Sequence, residues 1–354
     1  MRLIATGGAG FIGSALVCNA VRDGHDVLTV DKLTYAGRRE ALADIIASPR
    51  HRFLQADIAD AGAMARAIDD FEPDALIHLA AESHVDRSID DASAFVATNV
   101  QGTFVLLEAA LRYWSRLKGP RREVFRFVHV STDEVFGALR EGDDVFDAGS
   151  RYAPNSPYAA SKAAADHFAR AWSATYGLPV IVTNCSNNYG PRQHAEKLIP
   201  TVIRHALEGA PIPIYGAGLN TRDWLYVDDH VEGLMAAARR GSRGDTYLFG
   251  GRCEIRNIDL ARAICVALDA RRPRKDGTSY AAQIAFVADR PGHDLRYAVD
   301  PTHAEATLGW RAARTFEAGL ADTIDWYLAN PDWLIPPGKL GRLGMRMASA
   351  EATA

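Results

Sequence analysis

Tyr158 and Lys162, four positions apart in Ser156-Pro-Tyr-Ala-Ala-Ser-Lys162, carry the first recognisable chemistry in the chain. Ser156 is a good helix N-cap and Pro157 a good first helical residue, so the spacing predicts a helix with both side chains on one face. A free tyrosine titrates near ~10 and is a poor base at neutral pH. A lysine ammonium within reach would stabilise the phenolate and lower that value. Such a phenolate can take a hydroxyl proton while hydride leaves the same carbon. The second cluster is Ser131-Thr-Asp-Glu-Val-Phe-Gly137. Thr132 can hydrogen-bond the reacting hydroxyl, and the adjacent carboxyls Asp133 and Glu134 offer an acid and a base for a second step. The alternative for these two is a loop facing water or capping the next turn.

Hydride chemistry needs an acceptor, and the N-terminus supplies a place for one. Thr6-Gly-Gly-Ala-Gly-Phe-Ile-Gly13 follows the first apolar run and is expected to open a helix at Ser14. Gly7, Gly10 and Gly13 meet the needs of a dinucleotide fingerprint: a tight turn, close approach to a pyrophosphate, and close helix–strand packing. Asp31, 18 residues after Gly13, would accept bonds from ribose hydroxyls and repel a 2′-phosphate, which favours NAD over NADP. Lys32 beside it, and Arg38-Arg39, are contrary signs. A positive nicotinamide would add to the effect of Lys162 on the phenol. Asp57-Ile58 stands where such folds contact the adenine; the alternative for Asp57 is helix capping near Asp60.

These pieces must be held by an ordered scaffold. Candidate strands are Arg2–Thr6, Asp26–Val30, Arg52–Gln55, Ala75–Ala80, Phe125–Ser131 and Val180–Cys185, near-continuous apolar runs suited to a sheet buried on both faces. Helical patterns between them predict an α/β doubly wound parallel Rossmann sheet with a smaller C-terminal α/β lobe. Residues 1–186 are the expected NAD-binding domain. Residues 187–333 are mainly a substrate-binding lobe, with some segments returning to the sheet and two helical patterns, roughly Asp228–Arg240 and Asn257–Asp269. Residues 334–354 are a tail. Ser93–Lys118 and Pro157–Tyr176 are apolar on more than one face, which predicts a homodimer through two long helices per subunit.

Composition excludes several other classes. Apolar residues make up 48% and charged residues 24%, ordinary for a folded protein. The net charge of −4 without a basic stripe argues against nucleic-acid binding. Cys18, Cys185, Cys253 and Cys265 form no metal-spaced pair and read as buried, reduced thiols, so no metal is expected. No apolar run reaches the length of a membrane span and no leader is visible, which predicts a cytoplasmic protein.

The whole set resembles the extended short-chain dehydrogenase/reductases and, among them, the dTDP-glucose 4,6-dehydratase family of nucleotide-sugar dehydratases. The specific pieces are Ala80-Ala-Glu-Ser-His-Val-Asp-Arg-Ser-Ile89, Ser131-Thr-Asp-Glu-Val, Asn187-Asn-Tyr-Gly-Pro191, Glu196-Lys-Leu-Ile-Pro200, Arg222-Asp-Trp-Leu-Tyr-Val-Asp-Asp-His230 and Asp289-Arg-Pro-Gly-His293. The resemblance implies a hydro-lyase with tightly held NAD, regenerated in each cycle. Tyr158 would remove the O4 proton of dTDP-glucose as C4 is oxidised, with Lys162 and Thr132 assisting. Glu134 would abstract the C5 proton, Asp133 would protonate the departing C6 hydroxyl, and hydride would return to C6, giving dTDP-4-keto-6-deoxyglucose.

Around the cofactor the resemblance adds Phe11, Ile12, Leu33, Thr34, Leu79, Ala80, Ala81, Ser83, Thr98 and Asn188, besides Tyr158 and Lys162. Around the nucleotide sugar it implies Ser83, Thr132, Asn187, Glu196, Lys197, Leu198, Pro213, Ile214, Tyr215, Arg222, Asn257, Asp289, Arg290 and His293. Arg222 and Arg290 suit a diphosphate, since guanidinium forks bind phosphate oxygens bidentately; surface ion pairs are the alternative. His194-Ala195, Phe136 and Ala159 depart from the family's usual Phe-Pro, Tyr and Ser. The competing functions are an epimerase, decarboxylase or dehydratase for a UDP-, CDP- or GDP-sugar, and a silent NAD-sensing scaffold protein.

Overall fold

The computed structural model describes residues 1–335. Alternation along each strand of the main sheet feeds two cores. Leu3 and Ala5 of β1 (Arg2–Thr6) face one, with Leu16, Val17, Leu234 and Phe249. Ile4 between them faces the other, with Leu76, Leu106, Phe127 and Trp172. A strand apolar on both sides must be covered on both sides, which is why helices flank this sheet.

The sheet has seven parallel strands in the order β10-β6-β5-β4-β1-β2-β3. Its members are β1, β2 (Asp26–Asp31), β3 (His51–Gln55), β4 (Ala75–His78), β5 (Arg126–Thr132), β6 (Val180–Cys185) and β10 (Thr246–Phe249). The strand order reverses between β1 and β4, and the crevice outside their carboxyl ends is where ligands bind in such sheets. Helices α1 (Phe11–Arg22), α2 (Ala61–Phe71), α3 (Val85–Asp90), α4 (Ser93–Phe95), α5 (Thr103–Arg116), α6 (Pro120–Val124) and α7 (Pro157–Tyr176) fill the first half. A π-helical stretch, Val96–Gly102, joins α4 to α5.

The second half builds a separate apolar centre from Ile199, Val202, Ile258, Ile264, Ile324 and Tyr327. It holds α8 (Leu198–Glu208), α10 (Asn257–Arg271) and α12 (Phe316–Ala329), with β7 (Asn187–Tyr189), β11 (Glu254–Arg256) and β13 (Arg296–Tyr297) all paired to β9 (Thr221–Tyr226). β8 (Ile212–Tyr215) and β12 (Ile284–Val287) form a parallel pair. α9 (Val227–Arg240), β10 and α11 (Thr302–Leu308) pack at the main sheet instead.

Several boundaries differ from those expected. α1 starts at Phe11 rather than Ser14, because the Ser14 amide already donates to the Gly10 carbonyl at 2.8 Å. β4 ends at His78, and Leu79 and Ala80 turn into the crevice on bonds to Thr6. β5 reaches Thr132. Among the described residues five α-helices follow Asn187 instead of two; α8 was hidden because Pro200 sits in its first turn, where proline is tolerated. Ser93–Arg116 is long and apolar enough to cross a membrane by composition, yet half of it is buried inside the fold. Cys18, Cys185 and Cys265 are buried as expected, whereas Cys253 is half-buried; all four are free. The expected tail begins at 334, but Leu334 is buried in the second core at the end of a short turn, Pro331–Leu334; the rest of that tail beyond Ile335 lies outside the described residues.

Candidate active site

The loop after β1 forms a cradle that only small residues permit. Gly7 has φ 69°, and a Cβ there would stand 2.6 Å from the Ala80 amide nitrogen; one on Gly13 would overlap the Gly7 carbonyl. At the end of β2 the Asp31 carboxylate is aimed by two backbone donors, Ala9 at 2.9 Å and Leu33 at 2.8 Å. A cleft runs from this cradle to the end of β5. It brings together all the expected cofactor residues except Leu33: Gly7, Gly10, Phe11, Ile12, Gly13, Asp31, Lys32, Thr34, Asp57, Ile58, Leu79, Ala80, Ala81, Ser83, Thr98, Tyr158, Lys162 and Asn188. Leu33, at φ 57°, packs its side chain on the core and offers only its amide to Asp31. Lys32 is held by Asp57 at 2.5 Å. Arg38 donates to the Asp332 and Ile335 carbonyls and covers Trp333, while Arg39 lies over Phe53. Neither arginine waits for a 2′-phosphate. Asp57 accepts from the Ala59 amide, and the capping role falls to Asp60.

Two elements converge at the far end of the cleft. β5 stops at Thr132, and a tight turn over Asp133–Phe136 follows; the Thr132 hydroxyl accepts from the Glu134 amide at 3.3 Å and donates to Asp133 Oδ1 at 3.2 Å. α7 begins on its Ser156 cap, whose hydroxyl accepts from the Ala159 amide at 3.1 Å. Tyr158 and Lys162 then face the same cleft as Thr132, Asp133 and Glu134. Asp133 Oδ2 is buried without a protein partner.

Burial raises the pKa of all three acids in this cluster. Asp133 is pushed well up by burial and by the Glu134 charge, which favours its protonated form. Glu134 is pushed up by burial, but Arg290, Lys197 and Arg222 pull it down. Tyr158 corrects the sequence expectation: burial and Glu134 drive it well above its ordinary value, with only Thr132 opposing. The Lys162 ammonium donates to the Val130 carbonyl at 2.8 Å, and its pKa is lowered by burial. An added cation at the nicotinamide position would act in the direction Tyr158 needs.

The expected sugar-nucleotide residues divide into two groups. Ser83, Thr132, Asn187 and Lys197 line the cleft. Glu196 does not: Arg87 donates to both its oxygens, at 2.7 and 3.3 Å, and His84 Nε2 lies 3.2 Å away. Tyr215, Asp289, Arg290 and His293 form a cluster joined through Asp86. Arg290 donates to one Asp86 oxygen at 3.0 Å and the Tyr215 hydroxyl to the other at 3.3 Å, while His293 pairs with Asp289. Arg222 is buried and donates to the Thr221 and Asp294 carbonyls, with its guanidinium over Tyr297. Ile214 is 2% exposed and belongs to the second core, not the cleft. Pro213 stands beside it on β8, Leu198 opens α8 and Asn257 opens α10, none of them on the cleft wall.

Sequence reasoning missed other lining residues, among them Gly37, Glu82, Ser131, Ser186, Gln193 and His194. At Gly37 a Cβ would crowd Asp31, a contact that only the fold reveals. Asn99 carried no signal either. It lies in the π-helical stretch and pins the Ala80–Ser83 loop, accepting from the Glu82 amide at 2.8 Å and donating to the Glu82 carbonyl and the Ser161 hydroxyl.

A doubly wound sheet with a glycine cradle at its switch point defines a dinucleotide-binding protein, and a Tyr–Lys pair lies at the other end of the same cleft. The sequence profile described as GDP-mannose 4,6 dehydratase matches residues 3–323. dTDP-glucose 4,6-dehydratase 1 of Escherichia coli is 54% identical over 343 residues, 94% of each chain. A probable dTDP-glucose 4,6-dehydratase of Sinorhizobium fredii is 54% identical over 336 residues, 95% of each. Among solved structures, the dTDP-glucose 4,6-dehydratase DesIV of Streptomyces venezuelae, with NAD and TYD bound, superposes with a TM-score of 0.86 at 45% identity, covering 95% of this chain and 99% of its own. A UDP-glucose 4-epimerase of Thermotoga maritima, solved with UDP-glucose, reaches 0.81 at 27% identity, covering 94% and 100%. This chain belongs to the GDP-mannose 4,6-dehydratase family and, within it, to the dTDP-glucose 4,6-dehydratases.

Proposed function

We propose that this chain is a hydro-lyase that uses NAD to convert dTDP-glucose into dTDP-4-keto-6-deoxyglucose. The observation that carries the reading is the pair Asp133 and Glu134 on the same cleft wall as Tyr158 and Lys162. The epimerase fold-mate reaches almost the same superposition, so the fold alone does not choose the reaction; the extra acid and base do. The glycine cradle and the Asp31 carboxylate fit NAD, which supplies, when bound, an acceptor for the C4 hydride that is handed back at C6.

This chain's side chains do the rest. Thr132 aligns the C4 hydroxyl and Tyr158 takes its proton, with Lys162 holding positive charge nearby. The ketone at C4 acidifies the C5 hydrogen. Glu134, kept partly basic by Arg290, Lys197 and Arg222, removes it. Asp133, protonated because it is buried beside Glu134, donates to the C6 hydroxyl, which leaves as water. Incubation with dTDP-, UDP- and CDP-glucose, without added reductant, tests the reading through the ultraviolet absorbance of 4-keto sugar in alkali. We expect signal from dTDP-glucose; turnover of another sugar alone sinks the substrate assignment.

The exposed apolar residues Val96 (56%), Phe104 (36%), Phe168 (37%) and Tyr176 (51%) lie along the helical segments flanking Trp172, and Phe104 packs edge-on against Phe168 and Trp172. They support a homodimer through α5 and α7. Phe168→Asp is expected to give a monomer by light scattering, and an unchanged dimer would refute this interface. Free thiols and a nucleotide-sugar substrate support a cytoplasmic location, which cell fractionation checks. We read residues 1–186 as the NAD-binding part and 187–333 as the substrate lobe, with α9 and β10 returned to the sheet.

A further inference from the structure

Asp166 lies one helical turn beyond Lys162 on α7, continuing the row that starts at Tyr158. It is 0% exposed. Its Oδ1 accepts from His129 Nε2 at 2.9 Å, and its Oδ2 accepts from the Tyr152 hydroxyl at 2.8 Å and the Asn184 amide at 3.2 Å. The same Asn184 nitrogen donates to the Thr132 carbonyl at 3.0 Å. Lys162 Nζ holds the Val130 carbonyl at 2.8 Å, between His129 and Thr132 on β5. One buried carboxylate therefore ties together α7, β5 and β6 directly beneath the catalytic groups.

A carboxylate taken out of water neutralises unless donors and an opposite charge compensate it. Here three donors do so, and Asp166 stays below the ordinary carboxylate range despite complete burial. Its ring partner is not the counter-charge, because burial and Lys162 push His129 down and leave it neutral. The groups whose charges reach the ammonium are Asp166 on α7, Cys185 on β6, His129 on β5 and His78 on β4. Burial keeps the Cys185 thiol, His78 and Tyr158 uncharged as well. Arg170 acts on His129 from the same helix. Asp166 is thus the negative charge that opposes the desolvation of Lys162.

We propose that Asp166 is a positioning residue for the reaction, whose carboxylate holds the Lys162 ammonium charged and in place while Tyr158 alternates between phenol and phenolate. This rests on the functional reading above. The electrostatic consequence is directional. Without the carboxylate, Lys162 loses its proton at lower pH, and the phenolate then loses its stabilising cation.

Asp166→Asn keeps the shape and removes the charge. In the full-length enzyme with dTDP-glucose, the alkaline limb of kcat/KM is expected to move down by about 1 pH unit. At neutral pH kcat is expected to fall about tenfold, with KM within about twofold of wild type. Asp166→Glu is expected to bring the alkaline limb back. A folded Asp166→Asn variant with the wild-type profile, whatever its rate, overturns the proposal and leaves Asp166 a structural residue. If Asp166→Asn does not fold, Asp166→Thr removes the charge while keeping a hydroxyl that can accept from His129. A shift of the alkaline limb in the same direction then supports the proposal, and a superimposable profile overturns it. A wild-type protein inactive on every nucleotide sugar would sink the functional reading itself, which an active wild type with an unshifted variant would not.

Discussion

Tyr158→Phe is expected to lower turnover of dTDP-glucose by about 10³-fold while leaving NAD bound. The ring's packing should survive, since Tyr158 sits edge-on to Phe95 at 6.3 Å in a small apolar cluster with Val85. Only the hydroxyl is removed, and with it the one group positioned to take the O4 proton beside Thr132. The cradle around Gly7, Gly13 and Asp31 is untouched, so the cofactor should remain through desalting and be visible in the absorbance of the denatured supernatant. The wild-type environment makes the expectation sharper. In the protein alone burial and Glu134 hold the phenol well above its usual value, so the base depends on positive charge from Lys162 and the nicotinamide. Turnover close to wild type would refute the role of Tyr158. Loss of NAD would reassign it to cofactor retention.

The sheet was legible because its information is local. Ala75-Leu-Ile-His and Val180-Ile-Val-Thr-Asn-Cys are apolar on both faces, and that pattern has few other solutions than a covered parallel sheet. The Ser156 cap and Pro157 placed the start of α7 for the same reason. The π-helical stretch was not legible. At its last residue, Gly102, a Cβ would overlap Ile58 from a different element, a contact that no window of sequence records. The site divides in the same way. Tyr158, Lys162 and the glycines are recognisable because their spacing is fixed within one turn or one loop. Glu196 was not separable from a ligand contact, because a carboxylate that binds a sugar and one that clamps Arg87 look alike in sequence. Asp166 was invisible among the polar positions of its helix. Its meaning arises from His129, Tyr152 and Asn184, which come from three separate stretches of chain.

Glu134→Gln is expected to separate the oxidation at C4 from the elimination that follows. The amide keeps the volume of the carboxyl and cannot remove the C5 proton. In the proposed mechanism oxidation uses Tyr158, Lys162 and Thr132, all unchanged, so reduced nicotinamide is expected to build up toward one equivalent per protomer. Product formation is expected to fall by about 10²- to 10⁴-fold. Stopped-flow absorbance and fluorescence of the reduced cofactor report the first step, and alkali-developed 4-keto sugar reports the last. The pH dependence carries an independent sign. Burial raises the Glu134 pKa, and a base works only when deprotonated, so wild-type kcat should fall on the acid side as pH drops through that raised value. In Glu134→Gln that limb should vanish from the residual rate, because the titrating group is gone. Asp133 is raised first by burial, which Glu134→Gln leaves in place, so it is expected to remain the proton donor in both proteins although the neighbouring charge that adds to the shift is gone from the variant. Normal product formation by this variant would remove Glu134 from the mechanism. A variant that neither reduces the cofactor nor makes product would place the carboxylate in the first step.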